Sequence, residues 1–118
     1  MTYRQLVYSY INIIDNKEFF DLKKICTSNC YFDYGLFKPF EPHSYPYIAF
    51  FLWFLNIPVY KIQHFIKDIK IDEDGTIIVH GFYKTQYYLP IKPTTTYNEY
   101  KINVIDGLIN YIKETRFN

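Results

Sequence analysis

The stretch Thr94–Phe117, TTTYNEYKINVIDGLINYIKETRF, decides the fold. Polar and apolar residues alternate in its first half. This alternation places Tyr100 and the apolar residues that follow it at every second position on one face of a strand. Asp106-Gly107 is a tight-turn signal, and Leu108–Phe117 is the strand that returns. The stretch therefore predicts a β-hairpin with one face turned toward a core.

The strand pattern continues upstream of this hairpin. Gln63–Asp72 alternates, Asp74-Gly75 is a second hairpin signal, and Thr76–Leu89 is a long run of β-favouring residues. Pro90 and Pro93 mark a turn or an edge before the last hairpin. The C-terminal half thus predicts a meander of three or four antiparallel strands.

The N-terminal half predicts helices instead. Tyr3–Ile14 has apolar residues at helical spacing behind a capping-box pattern, and a second helix is expected over Asp15–Cys26. Cys30–Tyr34 is a short strand-like run, and Tyr47–Leu55 is a third, strongly apolar helix. We expect one α+β domain over residues 1–118, with three N-terminal helices packed on a curved antiparallel sheet. A sheet curled around a helix leaves a cavity that suits a small ligand.

Composition excludes several classes of protein. The formal net charge of +1 over 118 residues gives no support for nucleic acid or an anionic membrane as a partner. The longest apolar run, Ile48–Leu55, is well short of the ~20 residues of a membrane span, and the N-terminus lacks a signal-peptide layout. Cys26 and Cys30 predict reduced thiols in a cytoplasmic protein, and no Cys/His spacing matches a zinc site.

The whole layout, with its last hairpin Tyr100–Ile109, resembles the cone-shaped α+β superfamily of nuclear transport factor 2 (NTF2), the ketosteroid isomerases and the SnoaL-like cyclases. Three motifs are similar to the scytalone-dehydratase-like branch: Asp15-Asn16-Lys17-Glu18-Phe19, Asp33-Tyr34 and Gln63-His64-Phe65-Ile66. The resemblance implies an NTF2-like (cystatin-like) cone that encloses a pocket and works without a metal or organic cofactor. It also implies a homodimer.

The resemblance implies roles for individual residues. Asp15 falls on the catalytic aspartate of that branch, His64 on a catalytic histidine, and Tyr34 on a tyrosine at the substrate. Asn98 falls on an asparagine that contacts ligand, and Thr96 falls on a serine, so both are expected to bind the substrate.

The chain also departs from that branch. Ile14 stands where the branch has a tyrosine, and Gln86 stands where it has a second catalytic histidine, with His80 nearby on the same strand. In the ketosteroid-isomerase branch the catalytic carboxylate falls on Asp33 instead, with Tyr10 near the oxyanion-hole tyrosine.

Two roles are open to each of the leading residues. Asp15 either caps a helix, worth about 1 kcal/mol, or turns inward and holds the imidazole of His64. His64 itself is either a core histidine or a general acid–base group beside a carbonyl. Tyr34 is either a core aromatic or the donor that polarises that carbonyl. Asp33 either ends its strand or is desolvated, with a raised pKa suited to proton transfer.

Alternatives also remain for the substrate-binding candidates. Asn98 shares strand parity with Tyr100, so it is an inward polar group that needs a ligand or a side chain as partner. Gln86 and His80 share parity on their own strand, but Lys84 lies between them. Trp53 belongs to a helix that is a buried element, a wall of the pocket or a dimer face.

These observations favour a SnoaL-like enzyme that binds a small apolar cyclic compound with a carbonyl. It would move a proton beside that carbonyl, as a lyase (dehydratase), an isomerase or a cyclase. The alternative is a non-catalytic member of the superfamily that serves as a ligand-binding or dimeric interaction module.

Overall fold

The computed structural model describes residues 1–35 and 59–117 as an α+β fold of helices on one sheet. The helical elements are α1 (Tyr3–Asp15), a 3₁₀ turn (Phe19–Asp21) and α2 (Leu22–Ile25). The strands are β1 (Cys26–Asp33), β2 (Val59–Ile71), β3 (Ile77–Tyr87), β4 (Thr94–Ile105) and β5 (Leu108–Phe117). The expected third helix, Tyr47–Leu55, and its Trp53 lie outside the described residues.

Helix α1 begins at the capping box that the sequence predicts. The Thr2 hydroxyl accepts from the backbone N–H of Gln5 at 3.1 Å, and the Gln5 side chain accepts from the Thr2 N–H at 2.8 Å. The helix ends before Lys17, whose φ of 58° is left-handed. In the part of the chain that the structure describes, neither helix has the length and apolar character that a membrane span requires.

The region after α1 differs from the prediction of one helix through Cys26. Only a 3₁₀ turn and one turn of α2 form, and β1 already begins at Cys26. A bulge explains the error: Cys26 pairs with Ile109 and Tyr31 with Tyr111, so five steps along β1 match two along β5. Both Cys26 and Cys30 are buried, and their i, i+4 spacing imitates a helical stripe although it also places two residues on one face of a strand.

The sheet has the strand order β1-β5-β4-β3-β2. Strands β2 to β5 form the predicted antiparallel meander, with turns at Asp74-Gly75 and Asp106-Gly107. Strand β1, however, pairs with β5 in parallel, so the expectation of a wholly antiparallel sheet is wrong. Because β1 comes from the helical half of the chain and no hairpin joins it to β5, no turn imposes an antiparallel direction.

The core lies between α1 and one face of the sheet, here called the inner face. Helix α1 buries its predicted apolar stripe, including Leu6, Tyr10 and Ile13. Strands β3, β4 and β5 contribute alternate residues, because successive side chains point to opposite faces. The residues of these strands that are buried on the inner face are Ile77, Val79, Thr85, Asn98, Tyr100, Ile102, Ile109, Ile112 and Glu114.

The contact between β2 and β3 depends on Gly81. A Cβ at this position would stand 2.1 Å from the carbonyl oxygen of Phe65, which is backbone and cannot turn aside.

We therefore expect Gly81→Ala to lower the free energy of unfolding by about 3 kcal/mol or more, measured by urea denaturation. Gly75→Ala is the control, since Gly75 has a φ of +88° but open space around it, and backbone strain alone costs about 1–2 kcal/mol. Equal losses for the two variants would contradict the steric argument.

Candidate functional site

Asp15 and His64 are in direct contact. Asp15 is the last residue of α1, and its Oδ1 accepts from the Nδ1 of His64 at 2.5 Å. Its Oδ2 accepts from the backbone N–H of His64 at 2.9 Å. The amide of Glu18, which an N-cap at Asp15 would bind, donates instead to the carbonyl of Ile13. Of the two roles open to Asp15, the structure shows the one that holds the imidazole.

The second ring nitrogen of His64 also has a partner. Its Nε2 lies 2.8 Å from the hydroxyl of Tyr100, and only 4% of the side chain is exposed. Because the Asp15 carboxylate accepts two N–H groups, Nδ1 carries a ring proton, and in the neutral ring Nε2 then accepts from Tyr100. The sequence places Tyr100 on the inner face but does not reveal this contact.

Tyr100 belongs to a cluster of buried tyrosines. The hydroxyls of Tyr10 and Tyr34 lie 2.5 Å apart, and the rings of Tyr10 and Tyr100 meet edge to face at 5.5 Å. Burial raises the pKa of each of these three phenols well above its usual value near 10. They therefore remain protonated hydrogen-bond donors at neutral pH.

A buried carboxylate, Glu114, lies beside this cluster. It accepts from the side-chain amide of Asn98 at 2.8 Å and from the Nε and Nη2 of Arg116, both at 2.8 Å. Arg116 also donates to the backbone carbonyl of Tyr34 at 2.6 Å. The partner that the sequence requires for Asn98 is thus a side chain.

Sequence reasoning missed Glu114 and Arg116 as members of the site. The available signal was their parity with Ile112 on the closing strand, which puts two charged residues on the core face. Tyr83, whose ring lies 5.0 Å from that of His64, was missed as well. Thr96 stands directly across the strand pair from Tyr83 and is half-buried on the inner face.

Two candidates lie away from the cluster, which corrects their assignment as substrate-binding residues. Gln86 is exposed and pairs with Lys61, on the opposite face of the sheet from Thr85. Asp33 alternates with the buried Tyr34, and its carboxylate accepts from the Gly35 N–H at 3.0 Å. Strand parity explains both placements, and Asp33 has the strand-ending role that was its alternative.

His80, the histidine near Gln86, is also on the opposite face, here called the outer face. Its Nδ1 lies 3.2 Å from Asp68 and its Nε2 lies 2.7 Å from Glu99. It therefore does not replace the missing second histidine. Across residues 1–35 and 59–117, no group of three His, Cys, Asp or Glu side chains is placed to hold a metal ion.

Comparison with known proteins identifies the fold. A provisionally named scytalone dehydratase from Novosphingobium aromaticivorans has a TM-score of 0.79 at 12% identity, covering 98% of this chain and 81% of its own. A protein of ketosteroid isomerase-like fold from Catenulispora acidiphila has a TM-score of 0.81 at 7% identity, covering 97% and 86%. An NTF2-like protein from Anabaena variabilis has a TM-score of 0.79 at 13% identity, covering 98% and 86%.

These likenesses, together with one to a SnoaL-like protein, show that the chain has the α+β fold of the NTF2/SnoaL-like superfamily that its sequence resembles. No family model matches the sequence, and no curated protein matches it.

The buried tyrosines predict a loss of stability in alkali. A phenol whose pKa is raised in the folded state keeps its proton there, while the unfolded chain loses it near pH 10. The stabilisation that each such tyrosine contributes to the free energy of unfolding is therefore fully present below pH 10. Above pH 10 it falls by about 1.4 kcal/mol per pH unit for each tyrosine.

We expect the free energy of unfolding of the wild-type protein to fall steeply above pH 10 in urea titrations. The slope of the free energy of unfolding against pH should be shallower for Tyr10→Phe, because this variant lacks one of the phenols whose pKa is raised. Tyr8→Phe, which alters an exposed tyrosine of α1, is the control and should keep the wild-type slope. A flat profile to pH 11 would contradict the expectation.

Proposed function

We propose that this protein is a cofactor-independent acid–base enzyme that moves a proton next to the carbonyl of a small apolar ring substrate. The observation that carries the proposal is the hydrogen bond between the Asp15 carboxylate and the Nδ1 of His64, with the ring buried among tyrosines. A carboxylate on Nδ1 fixes the tautomer, orients the ring and stabilises the imidazolium that forms when Nε2 takes up a proton.

The residues predicted from the sequence have distinct roles in this proposal. His64 is the base and Asp15 orients it. Tyr34, held by Tyr10, donates to the substrate carbonyl, because a protonated phenol at that oxygen stabilises the developing enolate. Asn98 uses its remaining amide groups to hold the substrate.

The remaining binding candidates are proposed to line the same substrate site. Thr96 adds a hydroxyl on the same face of β4 as Asn98. Trp53 lies outside the described residues, and its role as a wall of the substrate site stays a prediction.

One chemical step unites the possible reactions. The C–H bond next to the carbonyl breaks, the proton moves to the base, and the electron pair forms an enolate. Loss of a β-hydroxyl from the enolate is dehydration, reprotonation at another carbon is isomerisation, and attack on a second carbonyl is cyclisation. The Catenulispora neighbour is described in complex with trimethylamine, which supports a small ligand for this fold.

A cytoplasmic location is part of the proposal. The sequence has only two cysteines, Cys26 and Cys30, four residues apart, which is a poor disulfide framework. Such cysteine usage fits a reducing compartment.

The acid–base proposal is tested by proton exchange. Cyclic ketones and β-hydroxyketones are incubated with the protein in D₂O, and loss of the signal of the proton next to the carbonyl is followed by NMR. We expect His64→Asn to slow the exchange at least 100-fold, because a general base contributes about 10²–10⁴. Circular dichroism should show an intact fold.

The matched control is His80→Asn, because His80 lies on the outer face. It should exchange at the wild-type rate. Normal exchange by His64→Asn would make His64 a core histidine and remove the mechanism.

A second candidate function is a dimeric interaction module without catalysis. Two observations favour it: the inner polar groups already bind one another, and the outer face carries a row of aromatic rings. Phe65 and Phe82 stack at 5.0 Å, and Tyr97 follows at 5.6 Å. Lys84 and Lys67 flank the row over the rings of Phe65 and Tyr97. The homodimer is proposed for either function, with this aromatic row as its contact.

The dimer is tested by placing a charge in the aromatic row. We expect Tyr97→Glu to yield monomers in sedimentation velocity, because a buried carboxylate at a dimer contact is costly. Tyr8→Glu is the matched control: Tyr8 is 47% exposed on α1, against 49% for Tyr97. A wild-type protein that is monomeric at high concentration would overturn the homodimer.

A further inference from the structure

The ring of His64 is closed to a substrate on both nitrogens. Nδ1 faces Asp15 at 2.5 Å, and Nε2 faces the Tyr100 hydroxyl at 2.8 Å. Tyr83 covers one side of the ring, with the centroids 5.0 Å apart. A substrate carbon therefore cannot approach Nε2 while Tyr100 is in place. A proton that moves between a substrate and Nε2 therefore passes through the Tyr100 hydroxyl.

We propose that Tyr100 is the residue that exchanges the proton with the substrate and passes it to His64. This inference rests on the acid–base function proposed above and assigns its central step to a different atom. Asp15, His64 and Tyr100 then form a relay that runs from the end of α1 through β2 to the middle of β4.

The step balances without any further reactant. The substrate C–H bond breaks, its proton bonds to the Tyr100 oxygen, and the proton that Tyr100 carried moves to Nε2 of His64. The C–H electron pair becomes the enolate, to which Tyr34 donates. The products of the step are a neutral Tyr100, an imidazolium and an enolate.

Concerted transfer suits the surroundings of Tyr100. Burial, followed by the negative charge of Glu114, raises the pKa of this phenol well above 10, so a free tyrosinate would be costly. A hydroxyl that gains one proton while it gives up another never carries the full charge.

Glu114 acts as a positioning residue for the relay. It stands directly opposite Tyr100 in the pairing of β4 with β5, and Asn98 and Arg116 hold its carboxylate. Once His64 is protonated, Nε2–H donates to the Tyr100 oxygen, and the Tyr100 O–H is free to turn toward Glu114. Asp15 and Glu114 then stabilise the imidazolium from its two ends.

The first test needs no substrate. Long-range ¹H–¹⁵N spectra of the ¹⁵N-labelled protein report the tautomer of each histidine, and the His64→Asn spectrum identifies the His64 signals. We expect the Nδ1–H tautomer in the wild-type protein. In Tyr100→Phe the Nε2 resonance should move toward that of a free pyridine-type nitrogen. Tyr111→Phe, which deletes a hydroxyl on the outer face of β5, is the control and should leave the His64 signals unchanged.

The second test uses the D₂O exchange assay with a ketone that the wild-type protein exchanges. We expect Tyr100→Phe to lower the rate at saturating ketone at least 100-fold, with the ketone Kd changed less than threefold. Glu114→Gln should lower the same rate about tenfold, again with little change in Kd. Tyr111→Phe should exchange at the wild-type rate.

The two tests distinguish a failure of the relay from a failure of the proposed function. An Nε2–H tautomer in the wild-type protein, or exchange by Tyr100→Phe within twofold of wild type, would overturn the relay even if the enzyme is active. No exchange by the wild-type protein with any ketone would overturn the proposed function, whatever tautomer His64 adopts. A Tyr100→Phe protein that loses both exchange and ketone binding would assign Tyr100 to binding and also overturn the relay.

Discussion

The two hydrogen bonds from His64 to the Asp15 carboxylate join the helical layer to the sheet. Asp15 ends α1 and His64 lies within β2, so this contact spans the core between residues 49 positions apart in the chain. A half-buried carboxylate is tolerated only where hydrogen bonds replace water, and the backbone N–H and ring N–H of His64 do so. The position of α1 over the sheet, and hence the space around the tyrosines, depends on this pair.

The rest of the interior follows from the same requirement that buried polar groups be satisfied. Tyr100 satisfies the second nitrogen of His64, Tyr10 and Tyr34 satisfy each other, and Asn98 with Arg116 satisfies Glu114. A network of this kind is worth little net stability against an apolar core of equal volume, and removal of one member is costly.

Periodicity predicted the elements whose pattern has one structural interpretation. Helix α1 has a capping box and an apolar stripe, and the turns at Asp74-Gly75 and Asp106-Gly107 lie between alternating runs. Each of these patterns is compatible with only one kind of secondary structure. Cys26 and Cys30 show where periodicity fails. A four-residue spacing serves a helix face or the inner face of a bulged strand equally well, and only the pairing of β1 with β5 decides between them.

The site was predictable as far as parity and resemblance reached. The resemblance indicated Asp15, His64 and Tyr34, and in the structure His64 lies between the Asp15 carboxylate and Tyr100. Gln86 was misplaced because a resemblance along the chain carries no strand register.

Glu114 and Arg116 were missed for a related reason. Their meeting with Asn98 and Tyr34 depends on the register of β4 with β5 and on the parallel edge strand β1, which the sequence does not encode locally. The hydrogen bond between His64 and Tyr100 joins β2 and β4, which are not neighbours in the sheet order, so no rule of strand pairing predicts it.

The charges of the interior indicate what the network is arranged to receive. Arg116 neutralises Glu114 at 2.8 Å, whereas His64 is the cation-forming partner of Asp15 and is neutral in the assigned tautomer. The cluster of Asp15, His64, Glu114 and Arg116 therefore carries one net negative charge until His64 gains a proton, after which it is neutral. Opposite charges at hydrogen-bond distance in a low-dielectric interior attract far more strongly than in water. In the proposed relay, a proton that leaves a bound ligand neutralises this cluster and leaves the negative charge on the enolate, to which the Tyr34 hydroxyl donates.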